Sequence, residues 1–298
     1  MNNQSTSIGR PEVESFFDSQ TNTISHVVID KETKKVAVID SVLDYEANSA
    51  QIYYDSANRI IDFIEKHEYQ VEWIIETHAH ADHLSAAPYI QEKLGGKLAI
   101  NKNINIVQDV FGKVFNFGTE YAKDASQFDY LFEDEETFKI GNLNGKVIHT
   151  PGHTPADSTI VIEDAAFVGD TLFMPDFGTA RCDFPGGSAE DLYDSIQKIF
   201  KLPKNTRLFM CHDYLPEGRT EFKWETTVAE QIENNIHVSK NKNKSEFVEL
   251  RTKRDKTLNM PKLIIPSIQL NINAGKLPKA EENQTQYLKI PLNKFNKL

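Results

Sequence analysis

The run Thr77-His78-Ala79-His80-Ala81-Asp82-His83 sets three imidazoles and a carboxylate within seven residues, directly after the apolar stretch Val71-Glu72-Trp73-Ile74-Ile75. A strand that ends in such a loop presents nitrogen and oxygen donors together at a sheet edge. That donor mixture suits Zn(II) or Fe(II) rather than Mg or Ca. Isolated histidines usually serve as polar core or surface groups, but three at this spacing with an Asp between them point to a metal site.

Working outward, Thr23 to Asp40 reads as a hairpin, Ser25 to Asp30 and Lys35 to Asp40 flanking a charged turn. Ile52, Ile60, Ile61, Phe63 and Ile64 recur at helical spacing and predict an amphipathic helix from about Ala47 to His67. Beyond the histidine loop, Ala86 to Leu94 reads as a helix stopped by Gly95-Gly96, with a short strand from Lys97 to Ile100. Residues 101 to 135 show no clean period and predict a long connection around the site mouth. A second hairpin pattern spans 136 to 149, followed by Thr150-Pro151-Gly152-His153-Thr154, a strand from Ser158 to Ile162, and Ala165 to Val168 leading to Gly169-Asp170. A helix over 188 to 202, a strand at Arg207 to Met210 ending in Cys211-His212-Asp213-Tyr214, and a helix from Thr227 complete the pattern. Strands and helices alternate, yet hairpins are frequent, so a sheet sandwich covered by helices fits better than a doubly wound parallel sheet.

At 298 residues the chain buries enough apolar surface to fold without staples, and it reads as a single domain over 1–298 with 236–298 a C-terminal extension packing on it. Residues 1 to 10 are polar and expected to be disordered at the end. Two cysteines, Cys182 and Cys211, are too few for a disulfide framework, and no leader pattern is present, so a reduced cytoplasmic setting is expected. No apolar run suits a bilayer, and a formal net charge of -11 works against nucleic-acid phosphates. The basic stretch Lys240 to Lys256 reads as a solvated helical face, with an anion-steering rim as the alternative.

Four stations now stand in order: His78 to His83, Pro151-Gly152-His153-Thr154, Gly169-Asp170-Thr171-Leu172-Phe173, and Cys211-His212-Asp213-Tyr214. Over roughly residues 23 to 235 the chain resembles the metallo-β-lactamase superfamily, which implies an αββα sandwich: two mixed sheets packed face to face, helices outside, loops gathered around one or two metals. Within it, Ala180-Arg181-Cys182-Asp183-Phe184-Pro185-Gly186-Gly187, His212-Asp213-Tyr214 and the segment Leu258 to Ser267 resemble the persulfide (sulfur) dioxygenases, in a stand-alone form without a rhodanese domain. The alternative branch is the binuclear zinc thioester hydrolases of the glyoxalase II type. A non-catalytic sulfur or metal sensor is a third reading, disfavoured by the complete ligand set.

The resemblance implies one Fe(II) per chain on His78, His153 and Asp170. His80, Asp82, His83 and His212 then either hydrogen-bond around those ligands or hold a second ion, as two zincs are held in the hydrolases. The substrates implied are dioxygen and a small persulfide such as glutathione persulfide; nucleic acid and membrane are not expected as partners. A homodimer and a functional link to a separate rhodanese are compatible with that family. Arg181 suits a carboxylate or a sulfur oxyanion, or else an ion pair with Asp183. Tyr214 either donates to a bound oxygen or sulfur or is satisfied by backbone; Cys182 either touches substrate sulfur or fills the core. Asp40 either orients a histidine from behind or serves a turn. His26, His67, His149 and His237 lack motif context and read as structural or surface groups.

Overall fold

A computed structural model describes residues 9–118 and 121–295. The disorder expected at the amino end falls on residues that lie outside this range, apart from 9 and 10. The chain runs as β1 (Glu12–Asp18), β2 (Thr23–Asp30), β3 (Lys35–Ile39), β4 (Val42–Glu46), β5 (Gln51–Tyr53), α1 (Asp55–Lys66), β6 (Gln70–Ile75), β7 (Leu84–Ser85), α2 (Ala87–Leu94), β8 (Lys97–Asn101), α3 (Ile104–Val114) and β9 (Tyr130–Phe132). It continues through β10 (Thr137–Ile140), β11 (Leu143–His149), β12 (Ser158–Ile162), β13 (Ala165–Phe167), α4 (Ala189–Ile199), β14 (Arg207–Phe209), β15 (Glu225–Thr227), α5 (Val228–Asn234), α6 (Lys244–Asp255) and α7 (Ile264–Asn271).

Side-chain alternation along the central strands sorts the core into layers. Val27, Ile29, Val36 and Val38 face α1 to α3 and α7, whereas Val28, Ala37 and Ile39 face the second sheet and meet Val147, Ile160, Phe167 and Phe209. A third cluster joins the far side of that sheet to α4 and α6 through Leu192, Ile196 and Phe247. Three apolar seams between four layers make the αββα metallo-β-lactamase sandwich. Its sheets run β1-β2-β3-β6-β8-β9 and β10-β11-β12-β13-β14-β15, and a small ribbon β5-β4-β7 sits beside them. The β3–β6 pairing slips between Val36 and Ala37, which lets Val71 and Ile74, three residues apart, share one face.

Two expectations are corrected. The stretch 101 to 135 is not one irregular connection: Ile104, Val107 and Phe111 bury one face of α3, and β9 extends the first sheet. Buried Gln108 and Gly112 interrupt the apolar spacing and hid that helix. Likewise the first helix begins at Asp55, because Ile52 belongs to β5, which pairs with β4. Among the described residues, no helix is long and apolar enough to cross a membrane.

The strands β3, β6, β13 and β14 all deliver loops to one edge, and backbone hydrogen bonds join the two sheets there. The amide of Ile24 donates to Cys211 O at 2.7 Å, that of Asp213 to Asn22 O at 3.1 Å, and that of Ser158 to Thr77 O at 3.0 Å.

Candidate metal centre

Three loops converge on Asp170. Its Oδ2 lies 3.6 Å from His153 Nε2 and 3.9 Å from His78 Nε2, while its Oδ1 lies 3.4 Å from His212 Nε2. Glycines make the approach feasible. Gly169 adopts φ +48°, and a Cβ there would stand 2.7 Å from Thr77 Oγ1; at Gly152, φ +147°, a Cβ would sit 2.4 Å from the Leu192 backbone.

Donor atoms from His78, His153 and Asp170 lie within 4.8 Å of one another, and so do those of His80, Asp82, His83 and His212. The structure thus brings together every metal residue expected from the sequence, in two adjoining sets. The carboxylate of Asp82 stands 3.2 Å from His212 Nε2. His78 Nε2, His80 Nδ1, His83 Nε2, His212 Nε2, Asp82 Oδ2 and Asp170 Oδ1 are all buried without a hydrogen-bond partner. Each orphaned polar atom costs about 1–3 kcal/mol, and six of them gathered in two adjoining donor sets fit cation ligation. Burial holds His78 and His83 below the usual imidazole range, so both are neutral and able to ligate. Burial opposes charge on His80 and His212 too, but the carboxylates of Asp40 and Asp82 respectively override it and raise both.

The ligands are held from behind. Asp40, whose own φ is +52°, accepts from the Thr77 amide and hydroxyl, both at 2.8 Å, and from His80 Nε2 at 3.0 Å. With its proton committed to Asp40, the Thr77 hydroxyl accepts from His78 Nδ1 at 3.0 Å, which leaves the Nε2 lone pair facing Asp170. Asp40 therefore lies behind His80, in hydrogen-bond contact with its ring. His83 Nδ1 meets Thr23 Oγ1 at 3.3 Å, and His212 Nδ1 donates to Asn22 O at 3.2 Å. His153 Nδ1 donates to the Arg181 carbonyl at 2.8 Å.

Several of these supporting groups escaped the sequence reading. Glu76 reaches His80 Nε2 at 3.1 Å, and its place directly before the motif was an available signal. Buried Asp157, pushed up to about 7 by desolvation, stands 3.6 Å from His78 Nδ1. Arg251, expected on a solvated face, is buried: it pairs with Asp255 at 2.6 Å and donates to Thr179 O at 2.8 Å, while Asp255 accepts from the Cys182 amide at 2.9 Å.

A cavity of about 560 Å³ opens over His153 and Asp170 of the first set and Asp82 of the second, walled also by Phe173, Phe184 and Tyr214, by Val42 to Ala47, and by Leu258, Asn259 and Pro261 to Leu263. Arg181 lines it, but its guanidinium is engaged with both Asp183 oxygens at 2.6 and 2.7 Å and with Asn259 O at 2.6 Å. The ion-pair alternative is thus the one realised, and Asp183 spends its carboxylate on Arg181. Cys182 does not line the cavity: its side chain belongs to the buried cluster with Leu192 and Phe247, and burial raises its thiol well above the ordinary value. Tyr214 is 37% exposed, stacks on His212 at 5.6 Å, and its hydroxyl has no hydrogen-bond partner among the described residues. Of the histidines without motif context, His26 and His237 are structural: His26 Nε2 donates to Met210 O at 3.0 Å, and His237 Nδ1 accepts from the Thr179 amide at 3.0 Å.

This fold and donor set define a metal-binding enzyme scaffold, and the chain belongs to the metallo-beta-lactamase superfamily, whose family model matches residues 22–212. The chain is 50% identical over 290 residues to a probable metallo-hydrolase of Burkholderia pseudomallei, covering 94% of this chain and 98% of that protein. Identity to glyoxylase B2 of Dictyostelium discoideum is 47% over 286 residues, 95% of this chain and 98% of that one. Identity to the mitochondrial persulfide dioxygenase ETHE1 of Bos taurus is 29% over 215 residues, covering 71% and 72%. Among solved structures, ETHE1 from Myxococcus xanthus aligns with a TM-score of 0.70 at 25% identity, covering 89% of this chain and 100% of that one.

Proposed function

We propose that this protein is a persulfide dioxygenase, which converts a small thiol persulfide, dioxygen and water into the parent thiol, sulfite and two protons. The observation that carries this reading is the His78, His153 and Asp170 set, two imidazoles and one carboxylate opening on a cavity large enough for a small thiol. Similarity to the ETHE1 proteins and the Ala180 to Gly187 and His212-Asp213-Tyr214 pieces support it.

A ferrous ion held by these three residues would supply a redox conduit, passing to dioxygen the electrons that the persulfide sulfur gives up as it becomes sulfite. The chain supplies the rest. His78 and His153 present fixed lone pairs because Thr77 and the Arg181 carbonyl hold their other nitrogens. Phe173 and Phe184 line the cavity and limit water beside the reacting sulfur. Tyr214 lines the cavity with a hydroxyl that meets no partner among the described residues, and we assign it as the hydrogen-bond donor to the developing sulfur oxyanion. Arg181, committed to Asp183 and lying 4.9 Å over the Phe184 ring, shapes the wall.

A second reading, a binuclear zinc hydrolase of a glutathione thioester, draws on the His80, Asp82, His83 and His212 set and on the name of the Dictyostelium relative. Metal analysis of the purified protein with an oxygen electrode separates them. About one iron per chain with oxygen uptake on glutathione persulfide is expected; two zincs, thioester turnover and no oxygen uptake overturn the proposal.

A further inference from the structure

The matched family region ends at residue 212, yet a residue far beyond it grips the histidine loop. Asn271, at the last turn of α7, is 5% exposed. Its Nδ2 donates to the carbonyls of His80 and His83, both at 2.8 Å, and its Oδ1 accepts from the Ser85 amide at 2.9 Å. One amide thus closes three backbone groups across 80 to 85, a stretch that contributes three of the four side chains of the second donor set. Those carbonyls belong to a tight buried loop, where an unpaired group is costly and where pinning nearby carbonyls restrains the backbone that carries the ligand side chains.

The geometry points to Asn271 as the positioning residue of the metal loop: by pinning the His80 and His83 carbonyls it sets the directions from which those two imidazoles and Asp82 meet a cation. The inference rests on the His80, Asp82, His83 and His212 set and does not depend on which metal the first set takes. The same helix provides a comparison. Gln269, also buried, donates to Ile265 O at 2.8 Å and to Lys289 O at 3.0 Å, bracing the chain at Lys289 rather than the histidine loop.

The test titrates metal-free protein with cobalt(II), following the d–d absorption bands, and measures hydrogen exchange at the Ser85 amide. Asn271→Leu, similar in volume but without donors, is expected to weaken cobalt binding about 10- to 100-fold, shift the bands and speed that exchange. Gln269→Ala is expected to leave all three readouts as in the unmodified protein. Asn271→Ser decides the matter if the Leu variant does not fold, with the same loss expected. Unmodified cobalt affinity and spectrum in either Asn271 variant, or an equal loss in Gln269→Ala, overturns the assignment. Because the dioxygenase reading is tested by oxygen uptake, its failure would leave this cobalt result standing.

Discussion

The two donor sets adjoin at Asp170, whose Oδ1 lies 3.4 Å from His212 Nε2, but differ in how much room they leave. His78, His153 and Asp170 offer three protein donors, and two of those residues line the cavity. The other set offers four, and its histidines His80, His83 and His212 have no exposed surface at all. A cation on the first set keeps coordination positions open to a visitor; one on the second is nearly saturated by protein. The difference teaches that occupancy of the second set would tune the site rather than create it.

The strongest way to break this contrast is to delete ligands one set at a time. His153→Ala is expected to abolish iron binding and turnover together, whereas His212→Ala should retain most of the iron. Equal metal loss in both, measured by elemental analysis, would mean that the sets act as one. Next in size is the support behind His153: Asp255→Ala leaves Arg251 buried without its partner, for an expected loss of about 3–5 kcal/mol in denaturant unfolding. It should also loosen the Thr179 to Cys182 backbone, so that metal affinity at the first set falls with stability.

A third prediction uses His26, buried like the ligand histidines but with both ring nitrogens satisfied, by Ser15 and Met210. Burial lowers it from the usual 6.5 to about 4. Between those values the unfolded chain binds the proton and the folded chain does not, so stability is full above pH 6.5 and falls as pH drops toward 4. The contribution is about 3 kcal/mol, and it should appear in metal-free protein and shrink in His26→Gln. The smallest effect expected is at Gly169→Ala, about 1–3 kcal/mol from its positive φ and the contact with Thr77. That change should weaken the first set more than the second; the reverse order would contradict the assignment of Asp170 Oδ2 to His78 and His153.

Local chemistry made much of this legible. The histidine run, Pro151 to Thr154, Gly169-Asp170 and the triplet at His212 all sit where a strand stops, so the sequence marks both the ligands and the elements that carry them. What stayed hidden depends on the chain returning on itself. Asn271 meets His80 across 191 positions, and Arg251 meets Thr179 across 72, each an ordinary polar residue in its own neighbourhood. Cys182 stayed open between substrate contact and core filling for the related reason that a strand-free loop gives no inside or outside until its neighbours are known. Glu76 was the one readable omission, a carboxylate closing an apolar strand.

The main-chain stitches between Ile24 and Cys211, Asn22 and Asp213, and Thr77 and Ser158 have a mechanical consequence. The far margin is tied through side chains instead, Asp30 accepting from the Asn142 amide at 2.7 Å and Glu72 from the Gly141 amide at 2.9 Å. The donors therefore sit where backbone meets backbone, so their mutual spacing does not depend on the rotamer of any side chain that joins the two sheets.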